Sequence, residues 1–220
     1  MSKFDKLSLN TFHWALISGA DFEGKYDMPI LKPVSLELPE NMVPFHMAKS
    51  CKEPECSCFH FYEDDYQFER FWNNPEKYIP ILKRFKVGVS TDFSVYLDMP
   101  KGQQVWNCWR NRVMAFYMQK CDLSIIPNVS WSDEESFDWA FDGIPENSDL
   151  FVTSQGCMGK DYVCKQSFLN GMHELVIRKK PRRIFVYGRF PENWIDKFPI
   201  PIIICKTFSE ERWGKCNGKR

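Results

Sequence analysis

The sequence predicts an α/β protein built around a parallel sheet, and two observations predict it. Short apolar runs recur along the chain, each followed by a polar cluster and then by residues at helical spacing. The clearest are Val87-Gly-Val-Ser-Thr-Asp92, Leu123-Ser-Ile-Ile-Pro-Asn128, Leu150-Phe-Val-Thr-Ser154, Ile184-Phe-Val-Tyr-Gly188 and Ile202-Ile-Ile-Cys205. Counted generously, strands lie near Ile30, Val43, Phe59, Val87, Leu123, Leu150, Ile184 and Ile202. Eight strands with intervening helices fit a compact (β/α)8 barrel. If the first two runs are loops, the same pattern fits an open doubly wound sheet. Either way one α/β domain spans residues 1–220, with an irregular N-terminal segment over about 1–57.

In chain order, Met28-Pro-Ile-Leu and Met42-Val-Pro-Phe are apolar runs broken by prolines, which weakens them as strands. Phe59-His-Phe-Tyr62 is a better strand, because aromatic residues suit a pleated surface. A helical region follows from Asp65 to about Phe85. Tyr66, Phe71 and Trp72 form its first apolar face, and Asn74-Pro75 ends that helix, since a residue before proline avoids the helical region. Tyr78, Ile81, Leu82 and Phe85 carry the second helix. Residues 103–119 form a long helix with Val105, Trp109, Val113 and Phe116 on one stripe and Asn107, Arg110 and Asn111 off it. Ser132-Asp-Glu-Glu135 has the form of a capping box, opening a short helix that ends near Asp142-Gly143. Phe168, Leu169, Met172, Leu175 and Val176 give a later helix its buried face.

Composition bounds the function. Basic and acidic side chains number 29 each, so the formal net charge is zero and nucleic acid could be gripped only by a local patch. Apolar residues make up 44% of the chain, enough for a sizeable core. The start, Met1-Ser-Lys-Phe-Asp-Lys, lacks the apolar stretch of a signal peptide, and no run is long enough for a bilayer, so no membrane role is expected. Nine scattered cysteines suit reduced thiols in a cytoplasm better than a secreted disulfide scaffold.

In either architecture the segments just after the strands share one face. That face would hold Asp65, Asp92, Asn128, Trp131, the segment 154–160, Tyr187 and Arg189. Asp92 and Asp65 could supply a nucleophile or base, or hold a divalent metal. Each could equally cap a helix or turn. Ser154-Gln-Gly-Cys-Met-Gly-Lys160 is the nearest approach to a phosphate loop. Gly156 and Gly159 would admit an anion to the backbone, and Lys160 and Arg189 would add charge. A plain glycine turn is the competing reading. Trp131 would stack on a base, with Asn128 and Tyr187 in the same substrate-binding set.

Two other clusters stand out. Cys51, Cys56, Cys58 and His60 are four potential zinc ligands, although their spacing matches no standard zinc module and Cys58 and His60 fall in the expected strand. Arg178-Lys-Lys-Pro-Arg-Arg183 is the strongest basic run. It lies between a helix C-terminus and a strand N-terminus, where cations complement the helix dipole on the face away from the expected site. His13, His46 and His173 are isolated. No nucleophile elbow, zincin motif or dinucleotide fingerprint occurs.

Several motifs together resemble one family. They are His60-Phe-Tyr-Glu-Asp-Asp-Tyr-Gln-Phe-Glu-Arg-Phe-Trp72, Ser90-Thr-Asp-Phe-Ser-Val-Tyr-Leu-Asp-Met-Pro100, Ile126-Pro-Asn-Val-Ser-Trp131, Phe141-Asp-Gly-Ile-Pro145 and Val186-Tyr-Gly188. They are similar to domain of unknown function 4417, over about residues 28 to 190. The resemblance implies a cytoplasmic protein of a bacterial host, of phage or mobile-element origin, and carries no activity with it. The Cys51–Cys58 segment lies outside the shared pattern.

The functional expectation is an enzyme that binds or processes a nucleotide or nucleic acid at the strand C-termini, by hydrolysis or transfer at a glycosidic or phosphoester bond. Asp92 would act as nucleophile or general base and Asp65 as its partner or a metal ligand. The alternatives are a non-catalytic protein that sequesters a nucleotide signal as a counter-defence, and a DNA-replication accessory gripping DNA through Arg178–Arg183.

Overall fold

The computed structural model describes residues 12–210. The chain opens with a two-stranded antiparallel ribbon, β1 (Phe22–Glu23) and β2 (Met28–Pro29), turned by Gly24 and Asp27 at positive φ. The strand expected near Ile30 is therefore part of this ribbon and not of a parallel sheet. Proline at position 29 lacks an amide hydrogen for a ladder on that side. The chain then runs along the starts of the later strands. Leu36 N–H donates to the Asp149 carboxylate at 2.8 Å and Asp149 N–H to Val34 O at 2.8 Å.

Seven parallel strands follow in two sheets. One has the order β3 (Asn41–Pro44), β4 (Ser57–His60), β5 (Val87–Val89), β6 (Ile125–Ile126); the other has β7 (Asp149–Thr153), β8 (Arg183–Tyr187), β9 (Ile202–Cys205). An isolated parallel bridge between Asn128 and Phe151 links the two. Order within each sheet follows the chain, so neither shows the reversal that marks a doubly wound sheet. Among the described residues no ladder joins β9 to β3, so the expected eight-stranded closure is not formed. Pro44 is tolerated in β3 because that strand lies at a sheet edge.

Both faces of these strands are apolar because both are covered. Alternate residues from all seven strands, Met42, Cys58, Val89, Ile126, Phe151, Phe185 and Cys205 among them, meet in one cluster. The opposite faces meet helices. Phe59 packs with the aromatic residues of α1 (Asp65–Asn73) and α2 (Pro75–Leu82), and Leu150, Val152, Ile184 and Val186 pack with α4 (Tyr162–Lys179). Asn74 separates α1 from α2, as Pro75 requires. Glycine is needed at position 88, where a Cβ would sit 2.0 Å from the Phe59 ring.

Two local expectations are corrected. Asp133, not Ser132, caps the short 3₁₀ turn Glu134–Asp138, accepting from Ser136 N–H; the Ser132 hydroxyl donates to Gln104 Oε1 instead. The long helix α3 (Lys101–Lys120) also buries its polar residues. Gln104, Asn107, Asn111 and Arg112 each expose 2% or less, because the loop after β5 covers the first three and Arg112 donates to the carbonyls of Asn128, Ala140 and Asp142. A short helix, α5 (Glu192–Ile195), precedes β9. No helix among the described residues is long and apolar enough to cross a membrane.

Candidate functional site

The C-terminal ends of the strands open into a cavity of about 900 Å³. Its walls come from the segments after β4 (Tyr62, Glu63, Asp64), β5 (Asp92 and Ser94 to Asp98), β6 (Val129 to Ser132) and β7 (Thr153 and Gln155 to Cys157), and from the start of α4 (Asp161, Cys164, Ser167, Phe168). Parallel strands bring these distant segments together because every strand delivers its following loop to the same edge.

Asp92 sits in this wall, half-buried. Its Oδ1 accepts from Asn128 Nδ2 at 2.8 Å. Asn128 is itself buried, accepts from the Tyr62 hydroxyl at 2.9 Å and donates its backbone N–H to Ser90 Oγ at 2.8 Å. Three strand ends are thus tied through one amide. Crowding by protein pushes the Asp92 carboxyl up from 3.8 to about 7; the Asn128 hydrogen bond opposes that rise and the nearby Asp65 charge adds to it. Burial, with the Asp92 charge second, holds the Tyr62 hydroxyl well above its ordinary value. Tyr62 is therefore a donor to Asn128 at neutral pH.

Asp65 stands behind the wall. Both its oxygens lie 3.2 Å from Ser94 N and its Oδ1 accepts from Ser94 Oγ at 2.8 Å, so it anchors the loop that carries Asp92 and caps no helix. The rest of that loop is held from α3. Asn111 accepts from Phe93 N–H at 2.8 Å and donates to Phe93 O at 3.1 Å; Asn107 donates to Ser94 O at 2.7 Å. Gln104 donates to Tyr96 O and Met99 O. This support was absent from the sequence expectation. The signal for it was amide side chains at 104, 107 and 111, whose spacing puts them on one helix face.

Trp131 lines the cavity. Its indole N–H donates to Ser167 O at 3.1 Å, and its ring stacks on Phe168 with centroids 5.6 Å apart. Gly171 makes room for it: a Cβ there would lie 2.0 Å from the indole nitrogen. Gly156, at φ +78, also lines the cavity. The remaining expected site residues do not. Gly159, Lys160 and Arg189 are exposed and outside the lining. Tyr187 is buried below it, in contact with the rings of His60 and Tyr62, with its hydroxyl accepting from Phe208 N–H. Among the described residues, the carboxylates of the lining are Glu63, Asp64, Asp92, Asp98 and Asp161, and it contains no lysine or arginine.

Compared with known proteins, residues 20–206 match the family described as Domain of unknown function (DUF4417). The chain belongs to this family. It is 34% identical to a "Gene 1 protein" of Mycobacterium phage D29 over 178 residues, covering 80% of the chain and 64% of that relative. A "Gene 1 protein" of Mycobacterium phage L5 is 32% identical over 191 residues, covering 85% of the chain and 79% of the relative. The chain thus spans a little under two thirds of the length of the first of these relatives. No solved structure matches.

In this DUF4417 chain the cysteine cluster does not assemble. Cys51 packs on the outer core beside the helices, Cys56 is exposed, and Cys58 and His60 point into the cluster between the strands. The cause is strand alternation combined with the 3₁₀ turn Pro54–Cys56, which separates the thiols. Among the described residues no group of three or more His, Cys, Asp or Glu is arranged to hold a metal, at the cysteines or at Asp65 and Asp92. His60 accepts from Tyr62 N–H through Nδ1, and burial, with His46 second, lowers its pKa to about 3, so the ring is neutral.

The basic run lies at the other end of the strands. Lys179 pairs with Glu23 at 3.1 Å, Arg178 with Glu174 at 2.8 Å, and Arg183 with the buried Asp149 at 2.9 Å. Lys179 and Arg183, which also donates to Leu36 O, dock α4 and β8 onto the N-terminal segment, Arg178 donates to Phe137 O, and Lys180 and Arg182 are exposed.

Proposed function

We propose that the cavity is an active site in which Asp92 exchanges a proton with the substrate during hydrolysis or transfer at a glycosidic bond of a nucleotide or nucleoside unit. The single observation that carries this reading is the environment of Asp92: a cavity-facing carboxyl with a pKa of about 7 and one oxygen committed to Asn128. Since Oδ1 accepts from Asn128, Oδ2 carries the mobile proton. A carboxyl with a pKa near the working pH serves both as donor and as acceptor. In hydrolysis, Asp92 protonates the departing group as its bond to the anomeric carbon breaks. Water bonds to that carbon, and its proton passes to a carboxylate of the lining. Asp65 is a positioning residue in this scheme. The Trp131 ring and the Phe168 side chain supply an apolar wall for a base. Phosphoester chemistry is less favoured, because Lys160 and Arg189 do not line the cavity.

This reading takes the two parallel sheets as parts of one curled, barrel-like wall. Sequential strand order, the bridge from Asn128 to Phe151 and the single cluster of inward residues support it. The phage relatives support an activity inside an infected bacterial cell.

The test is incubation of wild-type protein and Asp92→Asn with a panel of nucleosides and their 5′-monophosphates, followed by denaturation and chromatography. Free base or a transfer product from wild type alone supports the proposal. Intact ligand released from a tight complex would instead favour sequestration. No product and no retained ligand would refute both.

A further inference from the structure

We infer that the part of the substrate that enters this cavity carries no free phosphate and is rich in hydrogen-bond donors, as an unphosphorylated nucleoside is. The inference rests on the reading of the cavity as an active site and narrows its substrate class.

Three features of the lining point the same way. The first is charge. Carboxylates enter the cavity from three separate segments, as Glu63, Asp98 and Asp161 illustrate, and among the described residues no lysine or arginine lines it. A phosphate dianion placed among them would meet repulsion from several sides, with no lysine or arginine of the described lining to neutralise it. Lys160 and Arg189, which the sequence offered as phosphate ligands, stay outside. The second is hydrogen-bonding sense. Ionised carboxylates only accept, and beyond the bonds that Glu63 receives from His46 and Asp161 from the first turn of α4, their remaining acceptor positions suit sugar hydroxyls and the amino groups of a base. The third is shape. Trp131, half-buried and stacked on Phe168, gives the wall one apolar side that suits a flat ring. The pieces therefore match a sugar held by acceptors and a base against aromatics. A phosphate could be admitted only with a divalent cation that cancels its charge.

The experiment measures binding of adenosine, cytidine, guanosine and uridine and of their 5′-monophosphates to Asp92→Asn, by calorimetry in EDTA at low salt. Each nucleoside that binds should do so about tenfold or more tightly than its monophosphate. Asp98→Asn with Asp161→Asn in the same background should shrink that ratio by about threefold or more, as should raising the salt. A monophosphate that binds as tightly as its nucleoside in EDTA, or a ratio indifferent to both changes, would overturn the inference and leave the active-site reading standing. Binding of neither class, together with no turnover by wild type, would overturn both.

Discussion

Asp92→Asn should stabilise the protein, and more so at high pH. The folded carboxyl has its pKa raised from 3.8 to about 7. A raised acid contributes stability that is complete below about 3.8 and is lost as pH rises through about 7, because ionising the carboxyl in the fold is harder than in the unfolded chain. Each tenfold change in proton affinity is worth about 1.4 kcal/mol. The rise from 3.8 to about 7 therefore has a ceiling of about 4 kcal/mol of destabilisation at pH 8. Asp92 keeps an open side to the cavity, and solvent screening brings this to roughly 2 kcal/mol. Asparagine keeps an oxygen for Asn128 Nδ2 while never ionising, so the variant escapes the penalty. Urea unfolding of both proteins at pH 5 and pH 8 checks this, with equal m-values required. The stability gain of the variant should be larger at pH 8 by about 1 kcal/mol or more. Parallel stability curves, or a variant weaker than wild type at pH 8, would refute the claim that Asp92 is a strained carboxyl kept for chemistry.

Two other changes probe the same site. Asn128→Leu leaves the buried Tyr62 hydroxyl without its acceptor and should lower stability by about 2–4 kcal/mol. Because the Asn128 hydrogen bond holds the Asp92 pKa down, the group seen in the pH–rate profile should move to higher pH; a fixed profile would show that Asn128 does not tune Asp92. Gly171→Ala should displace the Trp131 indole, change its fluorescence and cost about 1–3 kcal/mol, whereas unchanged emission and stability would contradict the close approach described above.

Much of the scaffold was legible before any coordinates. Val87, Leu150, Ile184 and Ile202 each mark an observed parallel strand, since a strand covered on both faces must read as a continuous apolar run. The break at Asn74-Pro75 was equally local. The first strand failed for the same reason in reverse: Met28 and Ile30 are apolar, yet what decides a strand's neighbours is its partner, and β2 pairs back on β1. α3 misled through its polar residues, because a periodicity argument assigns asparagine and arginine to water and cannot see that unpaired backbone groups of the loop after β5 need Asn107 and Asn111, and carbonyls of the segment 128–142 need Arg112.

The same division runs through the site. Sequence alone determined that Asp92 and Trp131 follow strands and face one edge, since parallel topology sends every such loop to the same side. Only the tertiary structure decided that Asn128 and Tyr62 lie beneath Asp92, that Asp65 serves Ser94, and that Lys160 and Arg189 stay out of the cavity. Those outcomes depend on side-chain direction and on distances between segments far apart in the chain. Hydrogen-bond strength and pKa follow distance and burial, which residue order does not encode.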